Sequence, residues 1–385
     1  MSEQETTYEL SRVLNAIGMP TIIGANVVPE EIRKFANEAM SMNLEIDSLQ
    51  AAASRVIANR TGAEAGCVTG CCAAGIAITV AASMTGANLA RVLQLPDTEG
   101  MKDEVILQLG HNVNFGGEIS QMVRLTGAKL KLIGTANHCD RFHLRGALSD
   151  RTAAVLFVET GAVHPEGTFI PLEDCVRIAD KAGVPVLVDA AAESDMRPFV
   201  QAGASAVITS AHKMMGAPTS GMICGTKDLV RASYLQNWGI GRAMKVGKEG
   251  IAGCMAAVDR WYSRDKALER LRFEQLAAIL GAHLKLCRTD CASLVEVEIP
   301  PSTGMTARQI ANRLREGDPQ VWVRSATDHH DAPRISLSLY VMDEQEAELI
   351  GRAISRALAD PAPPAEDVPF HDLYYSEERL MKWPD

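Results

Sequence analysis

Between about residues 50 and 225, short apolar runs rich in β-favouring side chains alternate with amphipathic helical stretches. The runs lie at 105–109, 130–133, 153–158, 185–189, 206–209 and 221–224. The run at 185–189 is continuously apolar up to its terminal aspartate, so it needs cover on both faces. Strands of that kind separated by helices predict stacked βαβ units around a mostly parallel sheet. The intervening helices are expected at 117–126 and 172–182. In the second, Leu172, Cys175, Val176, Ile178 and Ala179 recur with a period near that of an α-helix.

A chain of 385 residues exceeds what one core organises. The pattern divides it into an N-terminal arm (1–45), a large domain (46–255), a smaller C-terminal α+β domain (256–359) and a connector with tail (360–385). A helical stretch over 250–287, charged from Arg260 to Arg272, bridges the two domains. The small domain has strands expected at 294–299, 321–324 and 334–341 and helices at 307–316 and 344–359. Asp360-Pro-Ala-Pro-Pro-Ala is a stiff connector. The aromatic residues beyond it, Phe370, Tyr374, Tyr375 and Trp383, are suited to packing on the body or on a partner subunit.

The balance of 47% hydrophobic and 22% charged residues excludes a disordered chain. A net charge of −10 opposes phosphate backbones, and no local basic patch offsets it, so no nucleic-acid partner is expected. The most apolar stretch, 67–82, is interrupted by Gly70 and Gly75 and falls short of the roughly 20 residues of a bilayer span. It reads as a buried loop and helix, and no membrane partner is expected. Residues 1–18 are polar and acidic with no export signal, and the nine cysteines sit mostly in apolar runs, which makes the cytoplasm the expected compartment. Neither Cys67, Cys71 and Cys72 nor Cys287 and Cys291 shows paired ligand spacing, so no metal is expected.

Chemistry concentrates at the ends of the strands. Ser210-Ala-His212-Lys213 follows one strand and precedes a Gly/Pro/Ser turn. Lys213 is either a loop-edge lysine reaching for water or a desolvated amine able to attack an aldehyde. Asp189 closes Pro185-Val-Leu-Val-Asp189, where open α/β sheets place their ligands. It is either a turn aspartate or the partner of a protonated ring nitrogen. The 24 positions to Lys213 hold one helix and one strand, which makes the pair stronger than either member. Gly70, Cys71 and Cys72 open an apolar helix, either as a phosphate cradle or as small residues for tight packing. His111 follows another strand and can stack on a flat ring or be structural. Glu159 and Thr160 can reach a ring edge or substrate, with a structural role the alternative.

These motifs resemble the fold-type-I enzymes that use pyridoxal 5'-phosphate (PLP). Ser210-x-His212-Lys213 is similar to the lysine motif of class V aminotransferases and cysteine desulfurases. Ile46-Asp-Ser-Leu-Gln50, Thr61-Gly-Ala-Glu-Ala65, Gly116-Gly117 and Gly241-Arg242-Ala-Met-Lys245-Val-Gly-Lys248-Glu249 resemble the selenocysteine synthase-related branch that includes D-glucosaminate-6-phosphate ammonia-lyase. The resemblance covers about residues 20–325.

The resemblance implies an aspartate-aminotransferase fold and a homodimer or larger homo-oligomer with active sites at the subunit junction. It implies Lys213 as the Schiff-base residue, Asp189 as the pyridine partner, His111 as the ring-stacking residue, and Gly70 to Cys72 with Ser210 and His212 around the phosphate. Arg242 or Arg334 would grip a substrate anion. Cys71 and Cys72 stand where serine or other small residues are usual, and the acidic chain with its short N-terminus argues against tRNA chemistry. The expected reaction is α,β-elimination from a small, polar, hydroxylated amino acid with release of ammonia; a racemase, aldolase or aminotransferase is the alternative. A regulatory module would not need Lys213, Asp189 and the cradle together. A nucleotide-binding protein would need a phosphate motif that residues 66–75 do not match.

Overall fold

The computed structural model describes residues 10–159, 167–289, 291–325, 333–360, 367–369 and 377–382. The chain separates into two compact units: Val28–Ser263 is one, and Met1–Val27 with Arg264–Asp385 is the other. Thr160 and the tail aromatics Phe370, Tyr374, Tyr375 and Trp383 lie outside the described residues.

The Val28–Ser263 unit is built on a seven-stranded sheet. Its strands are β1 (Ala65–Thr69), β2 (Glu104–Gln108), β3 (Lys129–Ile133), β4 (Thr152–Val158), β5 (Val186–Asp189), β6 (Ala206–Ser210) and β7 (Gly221–Gly225). Their order across the sheet is β1-β7-β6-β5-β4-β2-β3, and only β7 runs against the rest. The carboxyl ends of six strands therefore share one edge, joined there by the amino end of β7. Central strands β4 to β7 are buried along their whole length, which is why their sequences are apolar except near their ends. β1 departs from expectation: the start of the 67–82 stretch reads as a loop, yet residues 65–69 pair with β7 from Ala65↔Gly225 to Thr69↔Gly221. Its small residues concealed the strand, because Gly66 lies where a Cβ would come within 2.3 Å of Ile57.

Helices α1 (Glu30–Met40), α2 (Ile46–Thr61) and α3 (Cys72–Thr85) precede the sheet's middle strands. α2 ends at Gly62, whose φ of 78° gives the left-handed cap that favours glycine. α3 is apolar on all sides and almost wholly buried, as expected for a helix enclosed by a core. It lies close on the sheet because Gly75 has no side chain: a Cβ there would sit 2.5 Å from Ile208 Cγ2. This approach brings the amino end of α3 to the edge where β5 and β6 end. Ile76, Ile78, Leu107, Leu156, Leu187, Ile208 and Ile223 form the centre of this core. No helix among the described residues is long and apolar enough to cross a membrane.

The helical stretch expected over 250–287 is two helices, α4 (Lys248–Ser263) and α5 (Lys266–Gly281). The break falls at Asp265, whose carboxylate accepts the Ala267 and Leu268 amides and starts a new helix. Residues 286–288 are not helical but form β8 (Leu286–Arg288), so Cys287 lies in a strand. The second unit carries a four-stranded sheet in which β8 pairs with Leu294–Glu298, that strand with Arg334–Ser338, and the latter with Arg324–Ser325, all antiparallel. Val295 and Val297 point inward while Glu296 and Glu298 alternate outward, the period-2 pattern of a half-covered sheet. Leu14–Asn15 pairs in parallel with Val321–Trp322 and so ties the N-terminal segment to this unit.

Candidate active site

The shared strand edge of the large unit gathers most of the residues singled out from sequence. Asp189, the last residue of β5, is 4% exposed. Its Oδ1 accepts the Ala191 amide at 3.1 Å and the Cys72 thiol at 3.2 Å. Among the described residues its Oδ2 has no hydrogen-bond or ion-pair partner. Burial raises its pKa, opposed by the Cys72 and Ala191 hydrogen bonds and the nearby Lys213 charge. Lys213 is half-buried in the turn after β6, where its amide donates to Ser210 O at 3.1 Å. Its charge also acts on Cys72 and His212. Lysine, aspartate and the amino end of α3 thus converge, although 117 positions separate Cys72 from Asp189.

The loop from β1 into α3 is shaped by close backbone contacts. A Cβ on Gly221 would lie 2.4 Å from Cys71 C, and one on Gly70 would lie 3.0 Å from Met244 O. Cys71 caps α3, its sulfur accepting the Ala74 amide at 3.4 Å. The amides of Cys72 and Ala73 in the first turn have no acceptor within the helix, and they carry the positive end of its dipole. That is a seat for an anion. His212 Nδ1 donates to Ser220 O at 2.9 Å, and burial, then Lys213, hold its pKa below the usual value against the Ser220 hydrogen bond. Ser210 is buried and pairs with Gly221 across the sheet.

A family model described as "SelA: L-seryl-tRNA selenium transferase" matches residues 13–297 of this chain. The chain belongs to the SelA family. It is 34% identical over 349 residues to a D-glucosaminate-6-phosphate ammonia lyase of Salmonella typhimurium, covering 89% of this chain and 94% of that one. It is 37% identical over 333 residues to a 5'-C-glycyluridine monooxygenase-decarboxylase of a Streptomyces species, covering 82% and 83%. A solved D-glucosaminate-6-phosphate ammonia-lyase superposes with a TM-score of 0.83 at 33% identity, over 91% of this chain and 97% of that one. An aspartate aminotransferase of Thermus thermophilus, at 18% identity, covers 90% and 91% with a TM-score of 0.50 and shares the fold. The resemblance read from the motifs is thereby borne out: this SelA-family chain is a PLP-dependent enzyme with an aspartate-aminotransferase-like fold.

The residues fit that cofactor. A buried carboxylate with one open oxygen suits a protonated ring nitrogen, the half-buried Lys213 amine suits an aldehyde, and the α3 amides suit a phosphate.

Other predicted residues stand differently in this SelA-family site. His111 is 3% exposed, in a short 3-10 turn after β2. Its Nδ1 accepts the Val158 amide at 3.1 Å, and its ring lies edge-on to Phe157 and Phe169 at centroid distances of 4.8 and 5.4 Å. Through these contacts it bridges β2 and β4. Its pKa is pushed down to about 4 by burial. The unfolded chain takes up this proton near pH 6.5, whereas the folded protein refuses it until about pH 4, so stability falls as pH drops through that window. Lowering the pH from about 7 to about 5 removes about 2 kcal/mol through this group. Urea unfolding at both pH values is expected to show that loss in wild type and its absence in His111→Gln.

Arg242 is exposed, in the Ile240–Met244 turn that abuts Gly70 through Met244 O. Arg334 belongs to the C-terminal unit, where its guanidinium pairs with Glu296 at 3.0 Å. Glu159 follows β4 beside Asp189, its amide donating to Asp189 O at 2.8 Å. Burial, then Glu173, raises its pKa; burial, then Glu159, raises that of Glu193. Glu193 was not anticipated from sequence, since only the folded loop after Asp189 brings it near Glu159.

Proposed function

We propose that this enzyme is an ammonia-lyase acting on a small hydroxylated amino acid, with Lys213 as both the cofactor-bearing amine and the base at the substrate's α-carbon. The observation that carries the reading is the near full-length superposition on the ammonia-lyase structure, with a TM-score of 0.83. Bound PLP supplies an electron-poor ring that accepts the electron pair left when the α-proton is removed. Asp189 Oδ2 would hold the ring nitrogen protonated. The amides of Cys72 and Ala73, with Ser210 and His212 at the neighbouring strand end, would hold the phosphate.

Once substrate displaces it, the Lys213 amine is freed at the α-carbon and takes the proton at Nζ. The β-hydroxyl then leaves as water, needing a proton from an acid. Glu159 and Glu193 are half-buried carboxyls whose raised pKa values favour holding one. Return of the Lys213 amine to the cofactor would release the substrate's nitrogen as a free enamine, whose imine tautomer is hydrolysed by water to ammonia and a 2-keto acid. Arg242 is the candidate for a substrate anion because it is exposed beside the phosphate loop. The enzyme would act as a homodimer or larger homo-oligomer.

A second reading, oxygen-dependent decarboxylation, is favoured by the 37% identity to the Streptomyces monooxygenase-decarboxylase. The test is incubation of the PLP-loaded protein with a panel of β-hydroxy amino acids and amino-sugar acids, in air and under nitrogen. Equal ammonia and 2-keto acid in both atmospheres is the expected result. Carbon dioxide formed only in air would overturn the lyase reading in favour of the second.

A further inference from the structure

We infer that Cys72 is a positioning residue for Asp189: its thiol donates to Oδ1 and so turns Oδ2 toward the ring nitrogen of the cofactor. The inference rests on the assignment of Asp189 as the ring partner. Cys72 is 5% exposed and Asp189 4%, with 3.2 Å between Sγ and Oδ1. The Ala191 amide reaches the same oxygen at 3.1 Å. Two donors on one oxygen fix the rotation of the carboxylate about its Cβ–Cγ bond, and they leave the other oxygen as the acceptor on offer. One donor comes from the strand end that carries Asp189, the other from the first turn of α3. The thiol therefore also locks the phosphate-binding helix end to the ring-binding strand end.

The chemistry of this cysteine supports a donor role. Burial, then the Asp189 charge and hydrogen bond, pushes its thiol well above the usual range, with Lys213 opposing. It keeps its proton and is neither a nucleophile nor a metal ligand. Its hydrogen bond stabilises the ionised form of Asp189 against burial. The charged and titratable groups facing the pair are Lys213 and Cys71. A cysteine where a small or hydroxyl residue is usual in the resembling enzymes thus has a physical reason.

The test compares wild type with Cys72→Ala and Cys72→Ser, first without cofactor. The infrared band of the protonated Asp189 carboxyl, assigned by its loss in Asp189→Asn, is titrated in each protein. Its midpoint is expected to rise by about one pH unit in Cys72→Ala, as loss of a charge-assisted hydrogen bond requires, and to return in Cys72→Ser. PLP affinity is expected to weaken roughly tenfold in the alanine variant and to recover in the serine variant. In wild type, the Cys72 S–H stretch should shift as Asp189 titrates, a measurement that needs no folded variant. An unmoved S–H band, an alanine variant titrating like wild type, or a serine variant resembling alanine would each overturn the inference. Wild type that refuses PLP would overturn the functional reading alone, because the titration and the S–H band are measured without it.

Discussion

Lys213→Ala is expected to lower turnover by roughly four powers of ten and to leave PLP removable by dialysis. The substitution deletes two roles together, the amine that joins the cofactor and the base that takes the α-proton. Borohydride reduction followed by mass analysis checks the first role: wild type gains the cofactor mass on the peptide holding residue 213, and the variant does not. Added methylamine separates the second, since a small amine restores part of the proton transfer if the missing group acts as a base. A variant that keeps both colour after dialysis and full activity would refute the assignment. Little effect on stability is expected, since the backbone of the Ser210–Gly216 turn is held by its own hydrogen bonds.

Asp189→Asn is the second large effect, an expected loss of roughly one to three powers of ten in kcat, the range over which a close opposite charge shifts a pKa. The amide is nearly the same size as the carboxylate, so packing against Cys72 and Ala191 persists while the negative charge goes. The ring nitrogen then loses the group that keeps it protonated, and its capacity to take electrons from the α-carbon falls. PLP should still attach to Lys213 in this variant, which distinguishes it from Lys213→Ala. Its measurement is kcat with the substrate found in the lyase assay, together with the absorbance of bound cofactor against pH. Unchanged kcat would mean that another group holds the nitrogen.

The particular elements show which features were legible beforehand. Thr152–Val158 and Val186–Asp189 could be read directly, because strands buried on both faces must be continuously apolar. Ala65–Thr69 could not, since glycine, alanine and cysteine carry little strand preference and its pairing with Gly221–Gly225 is a contact far away in sequence. The break between Ser263 and Lys266 was hidden inside a helical pattern, although Asp265 was its local signal. In the site, Lys213 and Asp189 were marked by charge at the ends of apolar strands. His111 and Arg334 bore the same kind of mark, and only the fold shows what they touch: the Val158 amide and two phenylalanines for one, Glu296 for the other.

Residue order alone pointed to a mostly parallel sheet with an amine and a carboxylate at its carboxyl edge, since apolar runs and the helical crossovers between them are written locally, whereas the reversed direction of β7 was decided by its pairing. Tertiary structure alone decided that the Cys72 thiol meets Oδ1 of Asp189, that Glu193 nears Glu159, and that His111 is closed off. The first depends on how closely α3 can lie on the sheet, and that distance is set by the missing side chain of Gly75 against Ile208, 133 positions away, which no local preference encodes; the others depend on loops that meet only once the strands have paired.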